Sequence, residues 1–425
     1  MSTIIRSIFC LCITIVSFNV LLFTEGFYLS NNDFFNSTFP GVKLSDDIKN
    51  NIPSVNINLS KDIKTGDFSS IRDYAFAYLN NLVVDAINAS VSTVDCVIYS
   101  INMKDIPDAL IAARDRGVKV RIIIDHAHVY PRADSQIKKL IEAGKDIEVR
   151  VLRGTRDYGV NHNKITIHDK SVVTTGSYNW TFQSTFSNYD NIIVIKDKKY
   201  VRGYINYFEW MWSNARKISD GPSPVLPEGY YGIPPQSSDF IYLNGYKVPL
   251  YLFSPGSQTA EKLAQIIDNA KTSIDAVTFT FSSKVIADAM IRAHKRGVKV
   301  RFLEDIDMAK SSYMAKMVYD AGVPFKWIGG RNEKGAMHNK FIIIDGKILG
   351  TGSFNFTTNA SVNSFENIVF TNNSLVVNAY INKFSWFYSQ ATSPQSSDEF
   401  DGVDRYERGY LENILDSDIL EKEID

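Results

Sequence analysis

Apolar and polar positions alternate along this chain in blocks whose period changes. Over "YAFAYLNNLVVDAINAS" (residues 74–90) apolar side chains recur at helical spacing, and "TVDCVIYSI" then reads as a buried strand. "DIPDALIAARDRG" has the pattern of a helix closed by Gly117, and "VKVRIIID" that of a second buried strand. The same order returns further on: helix "AEKLAQIIDNAKTS", strand "IDAVTFTF", helix "VIADAMIRAHKRG", strand "VKVRFLED". Strands alternating with helices predict an α/β fold with a largely parallel sheet covered on both faces.

The recurrence extends to identities. "RGVKVR" occurs at residues 116–121 and 296–301, an offset of 180. "HNKITIHDKSVVTTGSYNW" from His162 and "HNKFIIIDGKILGTGSFNF" from His338 are offset by 176, as are Trp210 and Trp386 in the trailing helical segments. A four-residue length change between the two landmarks reconciles the offsets. The chain therefore reads as a tandem duplication, with repeats over 71–215 and 251–392. Between them, residues 216–250 include "GPSPVLPEGYYGIPPQSSD", which holds 5 of the 13 prolines and predicts a connector.

Composition changes this picture at the ends. Residues 1–26 carry one basic residue, Arg6, before an apolar stretch over 7–23, so a cleaved export signal or a retained membrane anchor is expected, and with it a place outside the cytosol or on a membrane. Residues 27–70, rich in Asn, Ser, Asp and Lys, read as an extended lead-in. Residues 393–425 form an acidic tail with apolar positions at Leu411, Ile414, Leu415 and Leu420 that suggest a short helix. From Asp398 onward there are 11 acidic against 3 basic residues, net −8, so a chain of net −1 carries +7 over residues 1–397. A mildly basic body suits an anionic substrate without naming one. Three cysteines, two of them in the N-terminal apolar run, exclude a disulfide framework or a cysteine zinc site in the body.

Chemistry concentrates in the duplicated motif. His162, Lys164, Asp169, Gly176 and Asn179 recur as His338, Lys340, Asp345, Gly352 and Asn355, while apolar neighbours have drifted. On a strand, His and Lys two residues apart share a face, so an imidazole and an ammonium would enter one pocket. Ser177 and Ser353 follow the glycines, and 28 residues beyond each His lies a carboxylate, Asp190 or Glu366, able to accept an Nδ1 proton and orient the ring. Two such pockets face to face would offer two His, two Lys and two Asn, an inventory suited to a tetrahedral anion, with one His as nucleophile and one as proton donor. "DHAHVYPR" places His126 and His128 two apart, a weak metal pattern better read as a loop bordering the cleft.

These residues resemble the paired HKD motifs of the phospholipase D superfamily, and the likeness runs from about Arg72 to Ala391. The resemblance implies two α/β/α repeats packed about a pseudo-twofold with one shared active site, in a single monomeric chain. It further implies phosphodiester cleavage through a covalent phosphohistidine, with no metal and no cofactor. His162 and His338 would exchange the roles of nucleophile and acid, and Lys164, Lys340, Asn179 and Asn355 would bind phosphate with Ser177 and Ser353 in support. Asp169 and Asp345 belong to the catalytic motif, mainly in a structural role. The departure is Asp190, where a Glu like Glu366 is more usual. The leading expectation is an exported phospholipase D-type enzyme acting on phospholipid head groups at a membrane surface, by hydrolysis or phosphatidyl transfer. An endonuclease acting on DNA or RNA with the same site is the alternative, and a phosphate- or lipid-binding module without turnover is the third.

Overall fold

The computed structural model describes residues 65–401 apart from Arg132 and Lys145. The apolar run over 7–23, most of the lead-in and the apolar positions of the acidic tail lie outside the described residues. Among the described residues no helix is long and apolar enough to cross a membrane.

The first repeat contains β1 (Tyr74–Ala75), α1 (Leu79–Ala89), β2 (Thr93–Ile98), α2 (Asp105–Asp115), β3 (Lys119–Asp125), α3 (Ser135–Glu142), β4 (Ile147–Leu152), β5 (Lys164–His168), β6 (Val172–Gly176), β7 (Ile192–Ile195) and α4 (Lys198–Asn214). With β8 (Arg216–Lys217) its sheet has the order β1-β7-β6-β5-β2-β3-β4-β8. After a two-stranded ribbon of β9 (Phe240–Leu243) and β10 (Tyr246–Pro249), the second repeat follows. It comprises β11 (Tyr251–Ser254), α5 (Thr259–Asp268), β12 (Ser273–Thr278), α6 (Lys284–Lys295), β13 (Lys299–Asp305), α7 (Tyr313–Asp320), β14 (Phe325–Ile328), β15 (Phe341–Ile344), β16 (Ile348–Gly352), β17 (Glu366–Thr371) and α8 (Ser374–Gln390). Its sheet, β11-β17-β16-β15-β12-β13-β14, repeats the first seven strands of that order without a counterpart of β8.

The expected largely parallel sheet is corrected to a mixed one. Only β2-β3-β4 and β12-β13-β14 run parallel, whereas β5, β6 and β7 and their counterparts pair antiparallel. The cause is a tight three-residue hairpin connection inside the repeated motif. Asp169 and Lys170 have φ of 49° and 53°, and Asp345 and Gly346 have 55° and 61°, the doubly positive pattern that matches the twist of a tight hairpin. The helix expected from residue 74 starts later as well, because Tyr74 and Ala75 pair with β7 as an edge strand. The connector is only partly irregular, since the ribbon β9-β10 turns at Asn244-Gly245 with φ of 52° and 90°.

Both faces of each sheet are covered. In β2, Val94, Cys96 and Ile98 pack outward with Leu79, Leu110 and Ile137 of α1, α2 and α3, while Val97 packs inward. That double burial explains an apolar run without clean alternation. On the second repeat Leu263 of α5 and Met290 of α6 cover the outer face. The inner faces of both sheets share a single core in which Tyr204, Tyr207, Phe208 and Met211 of α4 meet Tyr380, Phe384 and Phe387 of α8. The layers thus run helix, sheet, helix pair, sheet, helix, and the two repeats bury their central apolar surface against each other.

The repeated "RGVKVR" has a local reason. Arg121 grips Asp95 through Nε and Nη2 at 2.7 and 2.9 Å, and Arg301 grips Asp275 at 2.7 and 2.8 Å. Each guanidinium also lies over a central-helix ring, Phe208 at 4.6 Å or Phe384 at 4.9 Å. This two-pronged, stacked arrangement ties sheet to helix and needs arginine rather than lysine. Beyond α8, Phe400 is buried against Tyr319, Phe325 and Trp327, so the start of the segment read as a tail packs on the second repeat.

Candidate active site

Just before β5 and β15 the chain runs extended, and each of these segments pairs with the opposite repeat. The His162 N–H donates to Phe365 O at 3.0 Å and Phe365 N–H to Val160 O at 2.8 Å. On the other side Tyr189 N–H donates to Ala336 O at 2.9 Å and His338 N–H to Tyr189 O at 3.0 Å. These short bridges bring the two histidines to one seam between the repeats.

The carboxylates cross that seam. His162 Nδ1 lies 2.9 Å from Glu366 Oε1, and His338 Nδ1 lies 2.7 Å from Asp190 Oδ1. The orienting acid of each imidazole therefore comes from the other repeat, a correction to the sequence expectation, which pairs Asp190 with its own repeat's histidine. Sequence spacing could not reveal this, because a fixed separation along the chain is equally compatible with either pairing across a pseudo-twofold. With Nδ1 donating to a carboxylate, Nε2 keeps the lone pair, the tautomer a nucleophile requires.

Lys164 and Lys340 are almost fully buried beside them, each ammonium donating to the carbonyl of the histidine two residues earlier. Their ammonium groups lie over aromatic rings, Lys164 Nζ 5.2 Å from the Tyr99 centroid and Lys340 Nζ 5.2 Å from that of Phe279. The same two rings stand edge-on to His162 and His338 at 5.1 and 5.0 Å. Tyr99 and Phe279 directly follow equivalent strands, β2 and β12, and the sequence reading did not single them out. Asp125 and Asp305 were missed too. Each closes a "VKVR" strand and accepts a backbone N–H from the segment before the histidine, Asn161 at 2.7 Å and Met337 at 2.8 Å. Their repetition at the end of both strands was the available signal.

Electrostatically the cluster favours an anion. Burial lowers the basicity of His162, a trend that Glu366 opposes, and burial together with Lys340 takes His338 down to about 4, so both rings are neutral near pH 7. Burial also takes Lys164 down to about 7 and Lys340 well below its ordinary range, partly offset by Glu366 and Asp190. Burial pushes Asp190 up, but His338, Lys340 and the Ser177 hydroxyl hold it below the usual carboxylate range, so it stays ionised. Bound phosphate would supply the missing negative charge, raising the proton affinity of both lysines and of whichever imidazole serves as acid.

Other expected site residues are placed differently. Ser177 and Ser353, expected on the phosphate, are fully buried. Ser177 Oγ donates to Asp190 at 2.6 Å and accepts from Asn191 N at 3.0 Å, and Ser353 Oγ accepts from Asn367 N at 3.1 Å. Their work is to set the carboxylate strands. Gly176 and Gly352 allow this approach, since a Cβ there would stand 2.2 Å from Asn191 O and 2.1 Å from Asn367 O. Asn179 and Asn355 are half-buried at the ends of the same turns, with amide NH2 groups that make no hydrogen bond among the described residues. His126 Nε2 accepts from Ser223 N at 3.2 Å, and His128 Nδ1 lies 3.0 Å from Asp134 with its ring edge-on to Tyr99, beside the site. Among the described residues no group of three or more His, Cys, Asp or Glu is arranged to hold a metal.

Asp169 and Asp345, expected within the catalytic motif, sit at the hairpin turns away from the imidazoles. Asp169 accepts the N–H groups of Val91, Ser92 and Thr93, and Asp345 those of Lys271, Thr272 and Ser273 together with Asn244 Nδ2 at 2.6 Å. Although burial opposes it, the Asn244 amide and these backbone donors hold Asp345 down to about 2. Asp345→Asn is accordingly expected to cost about 1–3 kcal/mol of stability and to lower Tm by several degrees, with kcat within a few-fold of the parent. The difference from the parent should be complete above about pH 4 and fade as pH falls towards 2, because the hydrogen bonds favour the fold only through the ionised carboxylate, and below the unfolded pKa proton uptake by the unfolded chain progressively cancels that gain. A collapse of kcat at unchanged Tm would return this Asp to the chemistry.

Comparison with known proteins adds three findings. The family model for the cardiolipin synthase, PLD-like domain matches residues 83–212 and again 263–388. The mitochondrial cardiolipin hydrolase of Xenopus tropicalis is 35% identical over 140 residues, 33% of this chain and 65% of that protein, and the human one is 32% identical over 136 residues, 53% of its length. A phospholipase D of Rickettsia prowazekii is 33% identical over 141 residues, 67% of its length. The aligned segment thus spans less than two thirds of either cardiolipin hydrolase. Among solved structures, phosphatidylserine synthase from Haemophilus influenzae superposes with a TM-score of 0.58 at 11% identity, over 81% of this chain and 94% of that one, a likeness of fold.

Proposed function

The chain belongs to the phospholipase D superfamily, and from that premise we propose that it is a phosphodiesterase whose single active site is assembled from both repeats and acts on phospholipid head groups. The observation that carries this reading is the crossed arrangement of two imidazole–carboxylate pairs around two buried lysines. In the first step Nε2 of one histidine attacks phosphorus, the ester P–O bond breaks, and the other histidine, as imidazolium, protonates the departing alkoxide. The product is an alcohol and a phosphohistidine. In the second step the now neutral second histidine takes a proton from water, or from an acceptor alcohol, whose oxygen displaces the first histidine from phosphorus. Lys164 and Lys340 would face the non-bridging oxygens, with the amides of Asn179 and Asn355 as neutral donors, supplying charge where the transition state develops it. Asp125 and Asp305 keep the histidine segments in register from behind.

The lipid preference rests on the names of the relatives, cardiolipin hydrolase and phospholipase D, both of which specify phospholipid diesters. The mildly basic body favours the second reading, an endonuclease. Parallel assays on the full chain in excess EDTA decide between them. Release of head groups from phosphatidylglycerol, phosphatidylethanolamine or cardiolipin vesicles is expected, with DNA and RNA left intact. Clean nicking of nucleic acid without lipid turnover would replace the substrate, activity that returns only with a divalent ion would overturn the two-histidine mechanism, and binding without turnover would leave a lipid-binding module.

A further inference from the structure

The pseudo-twofold supplies an internal control for the mouth of the site. Two rims flank it, each built from a turn of one repeat stapled to a loop of the other. On the first rim the turn over 181–188 meets the loop 331–335: Arg331 N–H donates to Ser187 O at 2.7 Å, Asn332 Nδ2 to Ser187 Oγ at 3.2 Å, and Gln183 Nε2 to Lys334 O. On the second rim the turn over 357–364 meets the loop 155–159: Thr155 N–H donates to Asn363 O at 2.9 Å and Asn359 Nδ2 to Tyr158 O at 3.2 Å. The 176-residue offset maps the Arg331–Ser187 and Gln183–Lys334 staples of the first rim onto the Thr155–Asn363 and Asn359–Tyr158 staples of the second.

The staples correspond, although the first turn is π-helical and the second α-helical, and the exposed side chains differ. The first rim carries Phe182 and Phe186, 59% and 56% exposed, with ring centroids 5.8 Å apart. Their equivalents on the second rim are Thr358, which is exposed and polar, and Val362, which is partly buried. A turn held this firmly shows its rings by construction, because Tyr178 Oη meets Thr185 Oγ1 at 2.7 Å and Phe182 N–H donates to Asn102 Oδ1 at 2.8 Å. Charge accompanies the rings. The loop beside them contributes Arg331 and Lys334 against Glu333, and Lys383 stands over Trp386 at 4.0 Å close by Tyr189. The polar asymmetry continues inward, where Tyr99 and His128 lie beside His162 while the equivalent positions near His338 hold Phe279 and an exposed Met308.

We propose that the Phe182–Phe186 rim, with Arg331, Lys334 and Lys383 behind it, is the surface by which this protein docks on an anionic phospholipid bilayer. The rings enter the acyl boundary, the cations meet head-group phosphates, and the diester is presented with its apolar arm on the His338 side and its head group on the Tyr99–His128 side. Exposed aromatic side chains flanked by basic ones suit a medium that is apolar within and anionic at its surface, which bulk water is not. The rim also lies between two site residues in sequence, Asn179 and Asp190, so a docked surface sits within a few residues of the chemistry.

This inference rests on the phospholipid reading of the site, and its test is separable from it. The variant Phe182→Thr with Phe186→Val takes the residues of the second rim at these two positions, and because both phenylalanines are exposed, smaller side chains leave no cavity in the turn. Full-length protein is compared by co-sedimentation with vesicles of phosphatidylglycerol and phosphatidylcholine, and by turnover of soluble bis(4-nitrophenyl) phosphate. The variant is expected to lose at least about tenfold in vesicle partitioning while soluble turnover stays within about twofold. Equal partitioning of parent and variant overturns the proposal, as does a parent that ignores vesicles, or a loss confined to binding of a single-stranded oligonucleotide. If the parent turns over no diester but its partitioning still depends on the two phenylalanines, the docking surface stands and the enzymatic reading fails.

Discussion

His162→Asn and His338→Asn are each expected to lower kcat by about 10^4-fold or more with little change in Tm. The size follows from the single-site arrangement, since one ring must form the bond to phosphorus and the other must protonate the leaving oxygen, and neither has a substitute within the cluster. Asparagine is the informative replacement. Its amide can still donate towards Glu366 or Asp190, so the carboxylate stays paired and the loss reports on Nε2 rather than on an orphaned charge. The measurement is kcat on a soluble diester beside a thermal melt. Either variant retaining a tenth of parental turnover would mean that a half-site suffices. Because both imidazoles come from one chain, mixing the two inactive variants should restore nothing, and recovery on mixing would point to a site shared between chains.

The second large effect tests the crossing. Glu366→Gln replaces an acceptor-only carboxylate by a neutral amide that can turn its NH2 towards Nδ1, so the His162 tautomer is no longer fixed and a loss of about 10^2–10^4 in kcat is expected, the range in which a misoriented imidazole fails as base or acid. The stronger readout is the titration of each ring by NMR. Glu366 raises the proton affinity of His162, so its neutralisation should move the His162 pKa further down and leave His338 nearly unchanged. Asp190→Asn should do the reverse, because Asp190 faces His338 across 2.7 Å. If each substitution instead moved the histidine of its own repeat, the crossed geometry would be wrong even with activity lost in both.

How far the sequence leads depends on whether the determining contact is local. The duplication, the strand and helix order, the Gly117 closure and the His–Lys pairs were legible because each is written in consecutive residues with a definite period. The mixed topology escaped because the hairpin signal lay inside the motif that drew attention as chemistry. "IIIDGKILG" is a Asp-Gly turn between apolar runs, and its Asp serves the turn and the α5–β12 loop. Ser177 and Ser353 were misplaced for a related reason, since a hydroxyl beside a catalytic motif looks like a ligand until the crossing strand that takes it is in view. The pairing of Asp190 with His338 could not be read at all, because two equivalent carboxylates at equal chain distance leave the choice to tertiary packing.

That pairing bears on what duplication has achieved here. Two copies of a catalytic unit would ordinarily provide redundancy, so that damage to one is covered by the other. With Glu366 paired to His162 and Asp190 to His338, the proposed mechanism gives each copy a part the other cannot work without. On that mechanism a substitution at either carboxylate would disable the opposite copy, and the two repeats would be exposed to mutation as one gene rather than as a gene and its spare.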